Sequence, residues 1–304
     1  PLSVVFTLWL SITPAVGCAS RPSSSRVSMA RVKRIVCSSP LNAADHDLPV
    51  NEHPATDAYP GWRLGVQCWT FRKYTFFQAV DKVDDLGLSW IEAFPGQKVG
   101  GPFPDTGMGP GMSEKAMKAV KEKLDEADVT LINFGVTGLP NNEDKCRNTF
   151  EWAKEMGIET IVSEPPMEAL DMIEDLCREY DIRVAIHNHP KPSKYCNPYK
   201  VLQASKARDG WIGACVDPGH WERSGVNVVD ALQMLEGHIQ TLHLKDVVDG
   251  EDVVWGTGDK TIKNVLQELD RQGFKGAMSI EYETEWTSQM PSLRRCIDYY
   301  EKVV

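Results

Sequence analysis

The chain has 304 residues, 42% of them hydrophobic and 25% charged, with a net charge of -10 and a pI of about 5.3. That length admits one large domain or two small ones. The acidic balance argues against a nucleic-acid partner, which needs a clustered basic face, and suits a soluble protein with a small-molecule substrate.

Residues 4–10 read VVFTLWL, an apolar run too short to cross a membrane as a helix. It has the form of the hydrophobic part of a secretion signal. Ala15-Val16-Gly17-Cys18 resembles a lipoprotein processing site, with Ala where Leu is usual. Residues 1–18 are therefore expected to be a signal or lipoprotein peptide, with scope for a lipid anchor but no spanning segment. Export, to a periplasm or as a lipoprotein, is the corresponding expectation. A translation start at Met29 is the alternative and would leave the protein in the cytoplasm. Residues 19–60, rich in Ser, Pro, Asn, Asp and Ala without a sustained period, read as a disordered linker.

From Trp62 onward a βα alternation sets in. Strands are expected at 64–71, 88–94, 129–136, 159–164, 183–189, 211–217, 239–247 and 277–283. Helices are expected at 113–127, 143–156, 169–180, 260–272 and 291–300. Gly87, Gly157, Gly237 and Gly273 stand where helices should end. Eight such units over residues 61–304 predict an α/β fold, a (β/α)8 TIM barrel. An open doubly wound sheet would show a glycine-rich phosphate turn after its first strand, but this chain has Gln67-Cys68-Trp69-Thr70 there. Eight cysteines contain no CxxC pair, so free thiols are expected.

The strand ends carry the chemistry. In a barrel they all open on one face, so residues distant in sequence converge there. The fifth strand reads VAIHNHP, with His187 and His189 on one face by alternation. A lone buried histidine is more often a hydrogen-bonded core residue than a ligand; a pair two residues apart at a strand end is less so. The sixth ends at Asp217, three residues before His220. A carboxylate ending an apolar strand must be paired, hydrogen-bonded or metal-bound. The seventh places His243 and Lys245 on one face, the eighth Ser279, Glu281 and Glu283, and the fourth ends at Glu164. Together these give Glu, His, Asp, His and Glu on five successive strand ends. Such mixed oxygen and nitrogen donors suit one divalent ion, Mn2+, Co2+, Zn2+, Fe2+ or Mg2+.

With these motifs (VAIHNHP at 184–190, GACVDPGHW at 213–221, LHLKD at 242–246, WGTGD at 255–259 and SIEYE at 279–283) the chain resembles the xylose isomerase-like superfamily of sugar phosphate isomerases and epimerases, over about residues 61–304. That superfamily also contains metal-dependent apurinic endonucleases. The resemblance implies a metal bound by Glu, Asp, His and Glu from strands five to eight. Asp217, His243 and Glu281 match by position, but His187 stands in place of the strand-five Glu. Either His187 or Glu164 is left to complete the shell. His220 and Lys245 match positions that contact substrate.

The implied chemistry is proton abstraction next to a carbonyl, with Glu281 as base and Glu164, His187 and Lys245 as further catalytic candidates. Isomerisation or epimerisation of a sugar or keto-sugar is the leading expectation, and dehydration or 3-keto-glycoside elimination at the same site the alternative. A DNA-repair endonuclease is disfavoured by the charge and the few spare histidines, and a non-catalytic sugar-binding barrel by a ligand set it would not need. His189, His220, Trp69 and Trp255 are the substrate-binding candidates, Trp255 as a lid residue, with Phe94, Phe134, Trp221 and Trp286 as further aromatics near the mouth. A neutral substrate is expected over a phosphorylated one. The oligomeric state is not legible.

Overall fold

A computed structural model of the chain describes residues 61–258 and 261–304. The expected leader, 1–18, and linker, 19–60, lie outside them. Eight parallel strands close into a ring in sequence order: β1 (Trp62–Gln67), β2 (Trp90–Ala93), β3 (Thr130–Thr137), β4 (Thr160–Ser163), β5 (Arg183–His187), β6 (Ile212–Val216), β7 (Ile239–Leu244) and β8 (Gly276–Ile280). Closure is made by β1 pairing with β8, Val66 opposite Ile280. The fold is the expected (β/α)8 TIM barrel.

The surrounding helices are α1 (Phe76–Asp85), α2 (Glu114–Ala127), α3 (Glu143–Met156), α4 (Leu170–Tyr180), α5 (Pro198–Ser205), α6 (Pro218–Arg223), α7 (Val228–Met234), α8 (Thr261–Arg271) and α9 (Met290–Val303). Thr75 and Gln78 form a capping box on α1, and Ser113 and Asn142 cap α2 and α3. Such a cap is worth about 1 kcal/mol. α4 has no side-chain cap, yet it buries Leu170, Ile173, Leu176 and Cys177. Each large aliphatic side chain so buried contributes about 1.5–3 kcal/mol, so packing rather than capping holds this helix.

Several strands are shorter than expected. The first ends at Gln67 and passes into a 3-10 turn, Cys68–Phe71. The seventh ends at Leu244, and its continuation folds back as a hairpin of Asp246–Val248 with Glu251–Val253. Helical stretches were expected after every strand, and α1, α5, α6 and α7 supply those without assigned ranges, whereas a second hairpin, Lys98–Gly100 with Phe103–Gly107, was not expected. α1 shows the helical period in its buried Phe76, Ala79, Val80 and Val83, whereas α5, α6 and α7, of eight, six and seven residues, are too short for the period to repeat.

Alternation along the strands sorts the side chains. Ile161, Val184, Ile186, Ala214, Val216, Leu242 and Leu244 join the main core with the helices. Their neighbours Val162, Ala185 and Cys215 form a separate small apolar cluster in the barrel interior. Continuing that parity brings His187, Asp217, His243, Lys245 and Glu281 inward at the strand ends. The six described cysteines are free thiols. Among the described residues, no helix is long and apolar enough to cross a membrane.

Candidate active site

His187 closes β5, Asp217 follows β6, His243 lies within β7 and Glu281 follows β8. Each contributes a donor atom, and the four atoms lie within 4.8 Å of one another. All four residues are buried. Asp217 Oδ2 and Glu281 Oε2 lie 2.9 Å and 3.1 Å from Lys245 Nζ, His243 Nδ1 lies 3.1 Å from Glu281 Oε2, and His187 Nε2 comes within 3.7 Å of Asp217 Oδ2. Lys245 balances the two carboxylates from one side, and the four donor atoms still face one point. Two carboxylates and two imidazoles facing one point fit a divalent ion in both charge and donor type.

The surroundings hold these donors in place. Asp217 is also the N-cap of α6, its Oδ1 accepting from the His220 backbone N–H at 2.8 Å. That short helix lies against β7 because Gly219 has no side chain. A Cβ there would come within 2.7 Å of Lys245 Cβ and Val247 Cγ2. On the opposite side of His243, Nε2 lies 2.8 Å from Glu92 Oε1. Glu92, from β2, is fully buried and also meets Gln67, Asn133 and Ser279.

Lys245 is buried and ion-pairs with Asp217 (2.9 Å), Glu281 (3.1 Å) and Glu283 (3.3 Å) rather than lining the cavity above. Burial opposes its charge, but these carboxylates raise its pKa beyond the ordinary lysine value. Burial likewise works against ionised Glu281, yet Lys245 and His243 hold its carboxyl well below the usual range. Burial favours a neutral His243, but Cys215, Glu92 and Glu281 draw its pKa upward. His220 goes the other way. Burial, helped by Lys245, keeps its ring neutral down to about 3 against the pull of Asp217.

Glu164 does not join the four. Its Oε1 accepts from the His189 backbone N–H at 2.8 Å and lies 2.8 Å from His189 Nδ1, while Oε2 accepts from Ser193 at 2.8 Å. It is also 3.6 Å from His187 Nδ1, so Glu164, His187 and His189 form a second, adjoining cluster. Burial opposes the Glu164 charge, but hydrogen bonds from both rings, the backbone and Ser193 keep it ionised far below the usual range. Of the two candidates for the fourth position, the structure places His187 in the set and Glu164 beside it.

A cavity of about 570 Å3 opens over the strand ends, lined by Gln67, Trp69, Arg72, Phe94, His187, His189, His220, Glu281 and Glu283. Trp69 meets Phe94 edge-on at 5.1 Å, and Arg72 packs against the rings of both Trp69 and Trp286. Trp255 is not a lid residue. It is 2% exposed, packed in the core with its backbone N–H on Cys296 Sγ. Phe134 and Trp221 are also core residues, Phe134 meeting Trp152 edge-on at 4.5 Å. A tryptophan beside glycines signals a loop in sequence, but here the loop folds its ring inward. A further cavity, about 520 Å3, lies at the other end of the strands among Arg63, Arg183 and Lys275, remote from all these groups.

Sequence reasoning missed Glu92. Its signal was the one that flagged Asp217, a carboxylate within an apolar strand, here Trp90-Ile91-Glu92-Ala93.

Comparisons bear on this architecture. No curated protein matches the sequence. Among solved structures, an uncharacterised protein from Parabacteroides distasonis ATCC 8503 is 35% identical, with a TM-score of 0.67, over 80% of this chain and 100% of that one. D-psicose 3-epimerase from Clostridium cellulolyticum H10, solved with D-tagatose, shares the fold at 12% identity and a TM-score of 0.64, over 79% and 99%. The IOLI protein, described with a binding zinc atom, does so at 16% and 0.64, over 80% and 98%. The model of the family described as xylose isomerase-like TIM barrel matches residues 80–301, and the chain belongs to that family.

Proposed function

We propose that the protein is a metal-dependent enzyme that moves a proton at the carbon next to a carbonyl of a sugar or keto-sugar. The observation that carries this reading is the convergence of donor atoms from His187, Asp217, His243 and Glu281 within 4.8 Å of one another, with His187 and Glu281 lining a cavity with aromatic walls. The epimerase that shares the fold was solved with a ketohexose, which suits the same substrate class. A divalent ion held by the four residues would supply positive charge beside two adjacent substrate oxygens and favour loss of the intervening proton.

The chain's own groups then divide the work. Glu281 keeps an ionised carboxylate and lines the cavity, with Oε2 in the metal set and its other oxygen left to take the proton. The electron pair of the broken C–H bond passes onto the carbonyl oxygen. His189 lines the same cavity, three strands away in a ring of eight, with Glu164 on its Nδ1. That carboxylate orients the ring and favours a proton on Nδ1, which leaves Nε2 to give or take a proton at the substrate. Trp69 and Phe94 offer apolar faces to a sugar ring, and neutral His220 lines the cavity with them, its ring nitrogens held by Arg223 and Lys245.

Return of the proton to the same or the neighbouring carbon is epimerisation or isomerisation, the reading we favour. The unlike pair of carboxylate and imidazole supports a second outcome. With Glu281 as base and protonated His189 as acid, loss of a β-hydroxyl or β-alkoxyl gives dehydration or glycoside elimination. Incubation of Mn2+- or Co2+-loaded protein with free ketoses and 3-keto-glycosides in D2O tests the proposal. Deuterium entering the carbon next to the carbonyl is expected, and product identity separates the two outcomes. No exchange with any member of the panel would contradict it.

A further inference from the structure

The hydrogen bonds around Glu92 have a direction that can be read from their backbone ends. Gln67 Oε1 accepts from the Trp69 backbone N–H at 2.9 Å, so its amide nitrogen points the other way, to the Gly135 carbonyl and to Glu92 Oε1 at 3.0 Å. The Thr241 hydroxyl donates to the Ala277 carbonyl at 2.9 Å, so its oxygen must accept from Asn133 Nδ2. The same Asn133 nitrogen reaches Glu92 Oε2 at 3.3 Å. Ser279 donates to Oε2 at 2.8 Å. The two amides thus present only donors, set by backbone groups that cannot reverse, and the Ser279 hydroxyl can donate as well. Each oxygen of this buried carboxyl therefore accepts from one fixed amide.

The fourth neighbour is His243 Nε2, 2.8 Å from Oε1. Facing an oxygen that already accepts from Gln67, that nitrogen is placed to donate. The lone pair of the neutral ring is then on Nδ1, the atom that joins the metal set. We infer that Glu92 is a positioning residue which selects the Nε2–H tautomer and ring orientation of His243, and so presents Nδ1 as a ligand. A carboxylate on the far nitrogen of a ligating histidine also raises its basicity, and losing such a partner costs about 10–100-fold in metal affinity. Glutamine has nearly the same shape as Glu92 but would turn an N–H2 toward at least one pair of donors.

The inference rests on the metal reading above, and its test separates the two. Nitrogen-15 NMR of the histidine rings reads the tautomer directly, in protein stripped with EDTA and after zinc addition. Titration with Zn2+ or Co2+ reads affinity in wild type and in Glu92→Gln. His243 is expected to carry a proton on Nε2 in both states, with Nδ1 as the nitrogen that zinc binds. Glu92→Gln is expected to keep its metal-free Tm within a few degrees, bind Zn2+ about 10–100-fold more weakly and give a shifted Co2+ visible spectrum. An unprotonated Nε2 in wild type would overturn the inference without any variant, as would unchanged affinity and spectrum in Glu92→Gln. If wild type took up no zinc while Nε2 kept its proton, the metal reading would fail and the positioning role with it.

Discussion

His189 Nδ1 and its backbone N–H both meet one oxygen of Glu164, each at 2.8 Å, so ring and strand end are tied to a single carboxylate. If this pair serves proton transfer, Glu164→Gln leaves the ring in place but removes the charge that favours its Nδ1 proton. The expected result is a kcat lower by about 100-fold, the lower range for one acid–base group, with metal content unchanged. Loss of metal in parallel with activity would instead make Glu164 a ligand.

Glu281 lines the cavity and keeps its charge through Lys245 and His243, against its burial. An amide cannot accept a proton from carbon. Glu281→Gln, assayed at saturating Mn2+ with metal content measured in the same sample, should abolish solvent-deuterium incorporation next to the carbonyl. Full incorporation by metal-replete variant would move the base to His189 or Glu164.

Two carboxylates, Glu281 and Glu283, face the cavity, and Arg72 at its rim is stacked between Trp69 and Trp286. A second anion is therefore disfavoured, and neutral sugars should be preferred over their phosphates. Steady-state kinetics on matched pairs decides this: kcat/KM should be higher for the neutral member, and a clear advantage for the phosphate would point to Arg72 as an anion contact.

Stability should respond to pH through Glu268. Arg271 beside it, with Gln272 and Gln233, lowers its carboxyl from the usual range to about 2, against the effect of burial. A carboxyl lowered on folding stabilises the protein above its unfolded pKa, near 4.5, and that contribution is lost as pH falls toward 2. Glu268→Gln should lower Tm by a few degrees at neutral pH, with the gap to wild type narrowing between pH 4.5 and pH 2. A gap independent of pH would show that packing, not charge, is at stake.

The barrel was legible because its strands are apolar runs punctuated by glycines such as Gly157, which ends α3 at φ 76°. The site was legible where a polar residue broke an apolar strand at its end, as at His187, Asp217 and Glu281. Two kinds of feature escaped. Glu92 lies within its strand rather than at the end, and its partners Gln67, Asn133 and Ser279 come from three other strands, a closure that only the ring supplies. Trp255 sits among loop-forming residues, and nothing local shows that Cys296 and the last helix cover it. The choice between His187 and Glu164 likewise needed geometry, because neighbouring strand ends differ in direction by less than a sequence pattern resolves.

Metal titration of the stripped protein tests the central claim most directly. Wild type should take up about one Zn2+ or Mn2+ per chain, as one closed donor set implies. Asp217→Ala should lower affinity by at least about 100-fold, beyond what loss of an outer partner costs. Glu164→Ala should bind nearly as well as wild type. Absence of uptake by wild type, or uptake that Asp217→Ala leaves unchanged, would contradict a metal centre built on His187, Asp217, His243 and Glu281.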